Sequence, residues 1–425
     1  MIDAAYHPAL EQIRPPAAKR LAVRVTPAAE KAVRSGHPWL FDRGVSAVSE
    51  NSRSGDLAVV FDRKKRFLAI GLYDPDSPIR VRILHHGKPA QIGAAWFRQQ
   101  VETAVQRRDV LFNEQTTGYR LVYGANDGLE GLVVDRYDQT VVLKLYTAAW
   151  LPHLRHVLPA LVTAVSPERV VLRLSRTAAA DELLCGLENG SVLYGAPLVG
   201  PVLFRENGLA FTADVVKGQK TGFFLDQREN RARVESLAAG RSVLNVFAYT
   251  GGFSLYAARG GAREVVSLDQ SEPALAMAVQ NFELNGGNTA VSAALNAGVS
   301  AAKHELIAGD AFQELTKLAE VGRLFDMVII DPPSFAHSQA QVERALRAYA
   351  RLVRLGLRVL RHGGILVMAS CSSRVTAEMF FELVHETALE VKRPLIEIER
   401  TGHAPDHPIT FKEAAYLKCL FAEAP

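Results

Sequence analysis

The stretch Asn245-Val-Phe-Ala-Tyr-Thr-Gly-Gly-Phe-Ser254 follows the apolar residues Val243 and Leu244, and it decides how the second half of the chain folds. Its paired glycines let a ligand approach the backbone closely, and the helix that it opens offers unpaired N–H groups at its N-terminus. The pattern predicts a strand–turn–helix unit with a ligand at the turn; a purely structural Gly-Gly turn is the alternative. Because the spaced G-x-G-x-x-G of dinucleotide-binding folds is missing, NAD is disfavoured.

Predicted strands and helices alternate regularly from Ser242 onward. Repeated strand–helix units of this size predict an α/β fold with a parallel, doubly wound sheet. Ligands bind such sheets at the carboxyl ends of the strands, and each candidate polar residue in this half of the chain falls at one of those ends. The predicted strands are 243–246, 264–268, 305–308, 327–330 and 365–369, and helices are predicted from Phe253, at 273–285, at 342–360 and after Cys371.

Two acidic residues follow the second and third predicted strands. Asp269 is placed to accept hydrogen bonds from the hydroxyl groups of a ribose. Asp310 is placed to accept one from an adenine amino group, and the alternative is an N-cap role for the helix that follows it. A glycine turn combined with an acid at the end of the next strand favours a nucleoside cofactor over a purely structural turn.

The stretch Asp331-Pro-Pro-Ser-Phe335 follows four apolar residues. Two prolines fix the backbone and end the strand abruptly, which holds the Asp331 side chain and the adjacent carbonyl groups at the edge of the sheet. A nucleobase amidine or amino group is a suitable partner for a carboxylate fixed in this way. The pattern therefore predicts a functional role for Asp331 and Pro332, and a structural turn is the alternative.

Cys371 lies in Ala-Ser-Cys-Ser-Ser, directly after the fifth predicted strand and outside any apolar run. We expect a helix N-terminus beside it, which lowers the pKa of a thiol and makes the thiolate a competent nucleophile. Cytosine C5 is too weak a nucleophile to attack a methyl sulfonium directly, but thiolate addition at C6 makes C5 enamine-like. Asp331, bonding at N3 and N4, would stabilise the charge that develops in the ring. Cys185 and Cys419 lack such a setting and are expected to be structural.

The segment Lys220–Arg231, KTGFFLDQRENR, precedes the first strand of the predicted sheet. Phe223 and Phe224 are placed to cover a cofactor, while Gln227 and Arg231 are placed to anchor the cofactor or RNA. The alternative is an amphipathic first helix with Asp226 as its cap.

The rest of the chain predicts three further segments. Residues 1–20 are expected to form a flexible tail, because two consecutive prolines break any helix there. Residues 21–90 contain short apolar or alternating runs separated by Gly- and Pro-containing turns, which is typical of a small β-barrel-like domain. Residues 91–206, with a helix at 94–109, predict a mixed α/β domain. Residues 207–425 then form the domain that carries the chemistry.

Positive charge is concentrated near the N-terminus. Residues 1–90 carry 15 Lys and Arg against 9 Asp and Glu, although the formal net charge of the whole chain is only +4. The surplus includes the run Arg63, Lys64, Lys65 and Arg66. A local basic surplus suits a polyanion such as RNA, and a solvated hairpin tip is the alternative.

Composition is ordinary for a soluble globular protein, with 48% hydrophobic and 22% charged residues. No apolar stretch approaches the roughly 20 residues that span a bilayer, and the N-terminus lacks the basic start and apolar run of a signal peptide. We therefore expect a cytoplasmic protein without membrane contact. The three widely spaced cysteines predict neither a disulfide framework nor a metal site.

Four motifs resemble the family of bacterial 23S rRNA large-subunit methyltransferase I, which makes 5-methylcytidine, and the resemblance covers nearly the whole chain. They are KTGFFLDQRENR (220–231), NVFAYTGGFS (245–254), DPPSF (331–335) and SCS (370–372), with weaker support from Asp406-His-Pro408 and Tyr416-Leu-Lys418. The resemblance implies a C-terminal Rossmann-like class I methyltransferase domain, an N-terminal β-barrel-like PUA domain and a central mixed α/β domain with a β-hairpin. It also implies S-adenosylmethionine as cofactor, 23S rRNA or a large-subunit precursor as partner, and a homodimer.

The resemblance also implies roles for residues that match the family motifs. It makes Cys371 the nucleophile, and the chemistry argued above adds Asp331 as the second catalytic residue; no metal is predicted. Together with the pattern above, it gives as cofactor-binding candidates Phe224, Gln227, Asn245, Phe247, Ala248, Tyr249, Thr250, Gly251, Gly252, Asp269, Asp310, Asp331 and Pro332. The RNA-binding candidates are Arg63, Lys64, Lys65, Arg66 and Arg231.

The chain departs from the family pattern in two places, and two other functions stay open. The segment 286–303 is longer than the family has between the second and third strands, and 410–415 lacks the Phe-Pro-Glu-Gly-Arg run expected before Tyr416. A base N-methyltransferase acting on guanine or adenine in rRNA would use the Asp331 motif to methylate an exocyclic amine without needing a cysteine. A non-catalytic RNA-binding protein would keep the fold but have no use for Cys371.

Overall fold

The computed structural model describes residues 5–180, 182–286, 303–336 and 338–425. The chain divides into two compact units, each of which is built from more than one segment. Unit 1 comprises Met1–Arg205, Ala213–Leu225 and Pro405–Phe411, and unit 2 comprises Glu206–Thr212, Asp226–Ala404 and Lys412–Pro425.

A six-stranded sheet forms the first part of unit 1. The strands are β1 Leu21–Val25, β2 Trp39–Phe41, β3 Val45–Val48, β4 Leu57–Phe61, β5 Phe67–Tyr73 and β6 Ile79–His86, in the order β2-β6-β5-β4-β1-β3. Between β1 and β2 the chain forms helix α2, Pro27–Arg34, where Pro27 fixes the first turn and the Thr26 hydroxyl accepts a hydrogen bond from the Ala29 N–H. Inward residues of β1, such as Val23, pack in a core with the other strands.

A five-stranded sheet forms the second part of unit 1. Its strands are β7 Gly118–Tyr123, β8 Leu132–Tyr137, β9 Thr140–Leu145, β10 Arg169–Leu174 and β11 Val192–Gly195, in the order β11-β10-β9-β8-β7. Strands β9 and β10 are parallel, and helix α4, Leu154–Val165, connects them. Helix α3, Ala94–Asp109, occupies the residues predicted from the sequence. A two-stranded sheet follows, formed by β12 Val202–Glu206 and β13 Leu209–Ala213.

One hydrophobic core joins the segments predicted as separate domains 21–90 and 91–206. It contains Leu57 and Leu84 of the first sheet together with Phe97 of α3 and Trp150. The expectation of a flexible tail over 1–20 is wrong for its described part: α1, Ala9–Gln12, and the residue that follows it bury apolar side chains in this same core. Burial of these side chains offsets the entropy of ordering the segment.

The segment Asp406-His-Pro408 belongs to unit 1 and has a structural role there. The Asp406 carboxylate is fully buried and accepts a hydrogen bond of 2.8 Å from the Arg120 backbone N–H. The Asp406 carbonyl oxygen accepts one of 3.0 Å from Arg108, whose guanidinium also pairs with Asp127 at 2.8 Å. Buried polar contacts thus hold this short segment in unit 1, although it lies far along the chain from the residues that it contacts.

Unit 2 is built on a seven-stranded sheet with helices on both faces. The sheet order is β16-β15-β14-β17-β18-β20-β19, with β20 antiparallel to both of its neighbours and the other pairs parallel. The strands are β14 Ser242–Val246, β15 Glu264–Asp269, β16 Lys303–Ala308, β17 Phe325–Ile330, β18 Leu360–Ser370, β19 Ile396–Thr401 and β20 Lys418–Ala424. The helices are α5 Arg228–Leu237, α6 Gly252–Arg259, α7 Glu272–Gly286, α8 Ala311–Glu320, α9 Val342–Val359 and α10 Ala377–Glu390.

Alternate residues of the central strands of unit 2 face two separate cores. Leu244 and Val246 of β14 join one core with α8, α9 and α10, while Val243 joins the other with α5 and α6. Burial on both faces explains why these strands are nearly continuous apolar runs, and it places their carboxyl ends along one edge. The sheet thereby brings the predicted site residues of unit 2 to that edge.

Two further observations concern the described residues. None of their helices has the length and apolarity needed to cross a bilayer, and no group of three or more His, Cys, Asp or Glu side chains is arranged to hold a metal ion. The segment 286–303, which departs from the family pattern, lies outside the described residues except at its two ends.

Candidate active site

The glycine turn after β14 is backbone-strained and tightly packed. Phe247 and Tyr249 have positive φ values of 63° and 50°, and Gly251 has a φ of 78°. A Cβ at Gly251 would lie 2.9 Å from the Cβ of Ala278, so glycine is required both for the conformation and for the contact with α7. Left-handed non-glycine residues cost free energy and cluster at ligand-binding sites, which is consistent with the predicted cofactor turn.

Asp269, at the end of β15, fixes this turn. Its carboxylate accepts hydrogen bonds from the backbone N–H of Tyr249 at 2.8 Å and from that of Ser271 at 2.9 Å. Each carboxylate oxygen can accept two hydrogen bonds, so these contacts leave acceptor capacity for ribose hydroxyl groups. The ribose role of Asp269 stays a prediction, whereas its role in shaping the turn is a finding.

Two buried polar atoms, one in the turn and one in the strand before it, would suit a polar ligand. Within the described part of the chain, the Thr250 hydroxyl and the Asn245 side-chain oxygen are buried without a hydrogen-bond partner. Unpartnered buried polar atoms are costly, and a polar ligand would relieve that cost. Asn245, Thr250 and the turn from Phe247 to Gly252 are thus the residues that would hold the cofactor.

Asp310, at the end of β16, caps a helix. Its carboxylate accepts a hydrogen bond of 3.0 Å from the Gln313 N–H at the start of α8. The capping role considered from the sequence is therefore present, and contact with an adenine amino group stays a prediction.

Asp331 and Cys371 follow adjacent parallel strands, β17 and β18. The Cys371 sulfur lies 3.9 Å from the carbonyl oxygen of Pro332, and both Asp331 and Cys371 are half-buried. Burial raises the pKa of Tyr349 on α9, and the negative charges of Cys371 and Asp331 raise it further. The Tyr349 hydroxyl pairs with the Ser370 hydroxyl at 2.9 Å. The charges of both predicted catalytic groups therefore affect the pKa of Tyr349.

A chain of side chains holds the Asp331 carboxylate in place. Gln227 donates a hydrogen bond of 2.8 Å to Asp331, Asn230 donates one of 2.5 Å to Gln227, and Thr401 donates one of 2.5 Å to Asn230. Gln227 and Asn230 are almost completely buried. Gln227 thus contacts Asp331, and its predicted contact with the cofactor stays a prediction. Asp226, considered as a cap, accepts a hydrogen bond from the Tyr416 hydroxyl at 2.7 Å.

The expected helix N-terminus beside Cys371 is not at that position. Helix α10 begins at Ala377, and its N-cap is Thr376, which accepts a hydrogen bond from the Met379 N–H. Because the effect of a helix dipole is confined to the first turn, this helix does not adjoin Cys371 in sequence as predicted. Lys418, which the sequence indicated only as part of a weakly supporting motif, donates hydrogen bonds to the carbonyl oxygens of Ser372 and Val375, just beyond the thiol. Burial lowers the pKa of this lysine to about 8, and the charge on Cys371 opposes that shift.

The structure contradicts the prediction that Arg231 binds RNA. Its guanidinium donates two hydrogen bonds to the Glu206 carboxylate, at 2.7 and 2.6 Å, and both side chains are buried. A fully engaged, buried guanidinium has no surface for a phosphate. Phe224 belongs to unit 1, where its ring lies 4.5 Å from the Lys220 ammonium group, and its role as a cofactor cover stays a prediction.

The four basic candidates near the N-terminus lie on the exposed loop between β4 and β5. Arg66 pairs with Asp62 at 2.7 Å, and Arg63 lies 3.7 Å from Glu30. Lys64 and Lys65 are exposed, and their RNA-binding role stays a prediction. Cys185 is half-buried and Cys419 is buried, and burial raises the pKa of Cys419.

The seven-stranded sheet with its strained glycine turn at the central strand defines the class of protein. A family model described as S-adenosylmethionine-dependent methyltransferase matches residues 156–422, and a model described as a PUA-like domain matches residues 23–86. A solved structure of SMU.776 complexed with SAH has a TM-score of 0.79 at 22% identity, covering 95% of this chain and 99% of its own. The predicted α/β fold with its PUA-like domain is confirmed, as is S-adenosylmethionine as cofactor.

The particular family follows from closer relatives. A protein of Deinococcus radiodurans named ribosomal RNA large subunit methyltransferase is 48% identical, covering 96% of this chain and 98% of its own. A protein of Photobacterium profundum named ribosomal RNA large subunit methyltransferase I is 38% identical, covering 92% and 96%. The chain belongs to the ribosomal RNA large subunit methyltransferase I family, which confirms the resemblance inferred from its motifs.

Proposed function

We propose that this protein methylates C5 of a cytidine in 23S rRNA through a covalent bond between Cys371 and C6 of the base. The rRNA substrate is supported by the names of the relatives and by the PUA-like domain, which is a type of module suited to structured RNA. The observation that carries the chemistry is the position of the Cys371 sulfur, 3.9 Å from the Pro332 carbonyl oxygen at the ends of adjacent strands.

A thiolate at this position would activate cytosine C5, which is too weak a nucleophile to attack a methyl sulfonium directly. The Cys371 thiolate adds its electron pair to C6, and the electrons of the C5–C6 double bond make C5 nucleophilic. S-adenosylmethionine, when bound, supplies the electrophilic methyl group that C5 accepts. The C5 hydrogen then passes as a proton to solvent water, its bonding electrons restore the C5–C6 double bond, and the Cys371 thiolate departs. Atoms and charge balance, and the enzyme is regenerated.

Asp331 has two requirements in this reaction. Its carboxyl group must face N3 and N4 of the base, where a hydrogen bond donated to N3 stabilises the negative charge that thiolate addition places in the ring, and it must not move when the thiolate attacks. Gln227, itself held by Asn230, fixes one oxygen of Asp331 by a hydrogen bond of 2.8 Å. The target base must leave its stack for C6 to approach a fixed sulfur, so we propose base flipping.

RNA containing 5-fluorocytidine tests the covalent step. Fluorine at C5 cannot leave as a cation, so the sulfur–C6 bond persists after methyl transfer and a protein–RNA adduct accumulates. We expect an adduct at Cys371 by mass spectrometry, none with Cys371→Ala, and a normal adduct with the matched control Cys185→Ala. Absence of the adduct with active wild-type protein would refute the mechanism. A Cys371→Ala protein that methylates RNA at a near wild-type rate would favour methylation of a base nitrogen.

The remaining parts of the proposal have their own measurements. Calorimetric titration with S-adenosylmethionine should give one site per chain, and no binding would favour the non-catalytic alternative. Mass spectrometry of rRNA from cells that lack the gene should identify the cytidine that loses its methyl group. The homodimer stays a prediction, to be checked by light scattering during size-exclusion chromatography. The cytoplasmic location, where ribosomal RNA is modified, stays a prediction as well.

A further inference from the structure

Lys418 is a buried cation beside the loop that begins with Cys371. It is the first residue of β20 and lies directly opposite Ser370, the last residue of β18. Its side chain is almost completely buried, and its ammonium group donates hydrogen bonds to the carbonyl oxygens of Ser372, of Val375 at 2.6 Å and of Tyr416 at 3.1 Å. All three N–H donors of the ammonium group are therefore used.

These contacts fix the loop that carries the thiol. Ser372 and Val375 lie one and four residues beyond Cys371, so one ammonium group ties together both ends of the segment between the thiol and α10. The Ser372 hydroxyl also donates a hydrogen bond of 3.3 Å to the Ala336 carbonyl oxygen, on the loop that begins with Asp331. The two catalytic loops thus share a set of polar contacts.

Burying an ammonium group costs free energy, which argues against a purely structural role for Lys418. Burial lowers the pKa of Lys418 to about 8, and the charge on Cys371 acts in the opposite direction. An interaction between two titrating groups is mutual, so the ammonium group favours the thiolate form of Cys371 to the same extent.

Three groups from three elements lie around the segment that carries the thiol. Lys418 of β20 bonds to the carbonyl oxygens of Ser372 and Val375, Tyr349 of α9 pairs with the Ser370 hydroxyl, and Asp331 begins the loop whose Pro332 carbonyl oxygen lies 3.9 Å from the Cys371 sulfur. A nearby carboxylate disfavours a thiolate and a nearby cation favours it, so a fixed cation in this loop supports a nucleophile at neutral pH. Helix α10 begins six residues after the thiol and does not adjoin it in sequence.

We propose that Lys418 is a positioning residue that holds the 371–375 loop and stabilises the thiolate of Cys371. This inference deepens the proposed function, in which Cys371 is the nucleophile. Lys418 donates no proton and touches no substrate atom in this role; it acts only through Cys371.

The test measures alkylation of each cysteine by iodoacetamide as a function of pH, with mass spectrometry to separate the three sites. In Lys418→Met, we expect the alkylation profile of Cys371 to move up by about one pH unit, which is about a tenfold slower rate near pH 7. The pH profile of kcat should move in the same direction, while the KM for S-adenosylmethionine stays within about twofold. The matched control is Lys412→Met, an exposed lysine, which should leave the profile unchanged.

A second measurement covers a Lys418→Met protein that fails to fold. In the wild-type fold, removing the thiolate with Cys371→Ser should lower the pKa of Lys418, followed by NMR of labelled lysine side chains. A folded Lys418→Met protein with the wild-type alkylation profile would overturn the proposal, as would an unchanged Lys418 pKa in Cys371→Ser. Alkylation needs no RNA, so it reports on Lys418 even if Cys371→Ala retains methyltransferase activity and the cytosine mechanism fails.

Discussion

Replacing Arg231 by Met should destabilise unit 2 without weakening contact with RNA. The Arg231 side chain is 3% exposed and the Glu206 side chain 0% exposed, and two hydrogen bonds join them. Removing the guanidinium leaves a buried carboxylate without its cation, and such changes cost about 3–5 kcal/mol. Domain stabilities are about 5–15 kcal/mol, so this one substitution should remove a large share of the free energy of unfolding.

Urea unfolding, followed by circular dichroism, measures this loss, and a double-mutant cycle assigns it to the pair. Combining Arg231→Met with Glu206→Leu removes both charges, and the double variant should be more stable than Arg231→Met alone because no unpaired charge stays buried. The matched control is Arg233→Met. Arg233 pairs with Glu399 at 2.8 Å, but the two side chains are 35% and 44% exposed, so we expect a loss of at most about 1 kcal/mol.

RNA binding distinguishes this explanation from the one first suggested by the sequence. At a temperature where Arg231→Met stays folded, its affinity for rRNA fragments should be within about twofold of wild type, and the salt dependence of binding should be unchanged. A variant that keeps its stability within about 1 kcal/mol of wild type but binds RNA tenfold more weakly would refute the structural role.

Three further predictions concern other parts of the chain. Burial lowers the pKa of His153 to about 4, so stability should fall as pH drops from about 6.5 towards 4, by up to about 3 kcal/mol, and urea unfolding of His153→Gln should show a flatter pH profile. Gly251→Ala should weaken S-adenosylmethionine binding in calorimetry at least tenfold, whereas Gly240→Ala, also at positive φ but without neighbours within 4 Å, should not. Lys64→Ala combined with Lys65→Ala should lower RNA affinity and reduce the salt slope by about 2, with an unchanged slope contradicting contact.

The local sequence pattern was sufficient to predict much of the seven-stranded sheet of unit 2. Strands β15, β17 and β18 contain short apolar runs, with Asp269, Asp331 and Cys371 at or directly after their ends, so these positions could be predicted before any pairing was known. Helix α3 begins and ends at the predicted residues. These features depend on neighbours within a few positions, which is the range over which periodicity and turn residues act.

Features that depend on distant parts of the chain could not be predicted in the same way. Strand β19 has five exposed residues among its six, so burial of its side chains does not define it, and its pairing with β20 places it in the sheet. The two prolines after α1 indicated a loose tail, but they do not prevent Ala9 and Leu10 from packing in a core formed by later residues. Strand pairing in the first case and tertiary burial in the second depend on residues far away in the sequence.

The same difference between features set by near neighbours and features set by distant residues holds for single side chains of the site. Sequence patterns indicated which residue types stand at the strand ends, but not that Gln227 would reach Asp331, 104 positions away, or that Lys418 would reach the loop after Cys371. Arg231 was assigned to RNA because an arginine near a predicted site is ambiguous until its partner is known. Glu206, its partner, lies 25 positions earlier in a segment with no motif of its own.

The proposed catalytic pair, Asp331 and Cys371, follows two adjacent parallel strands. The proposed reaction needs a thiolate at Cys371 before the base arrives, and a neighbouring carboxylate disfavours such a thiolate. The fold supplies each with its own fixed support: amide donors from Gln227 and Asn230 on one side, and the Lys418 ammonium group on the other. Because both supports are buried and hydrogen-bonded, the charges are arranged before substrate binds, and little reorganisation is left for the reaction itself.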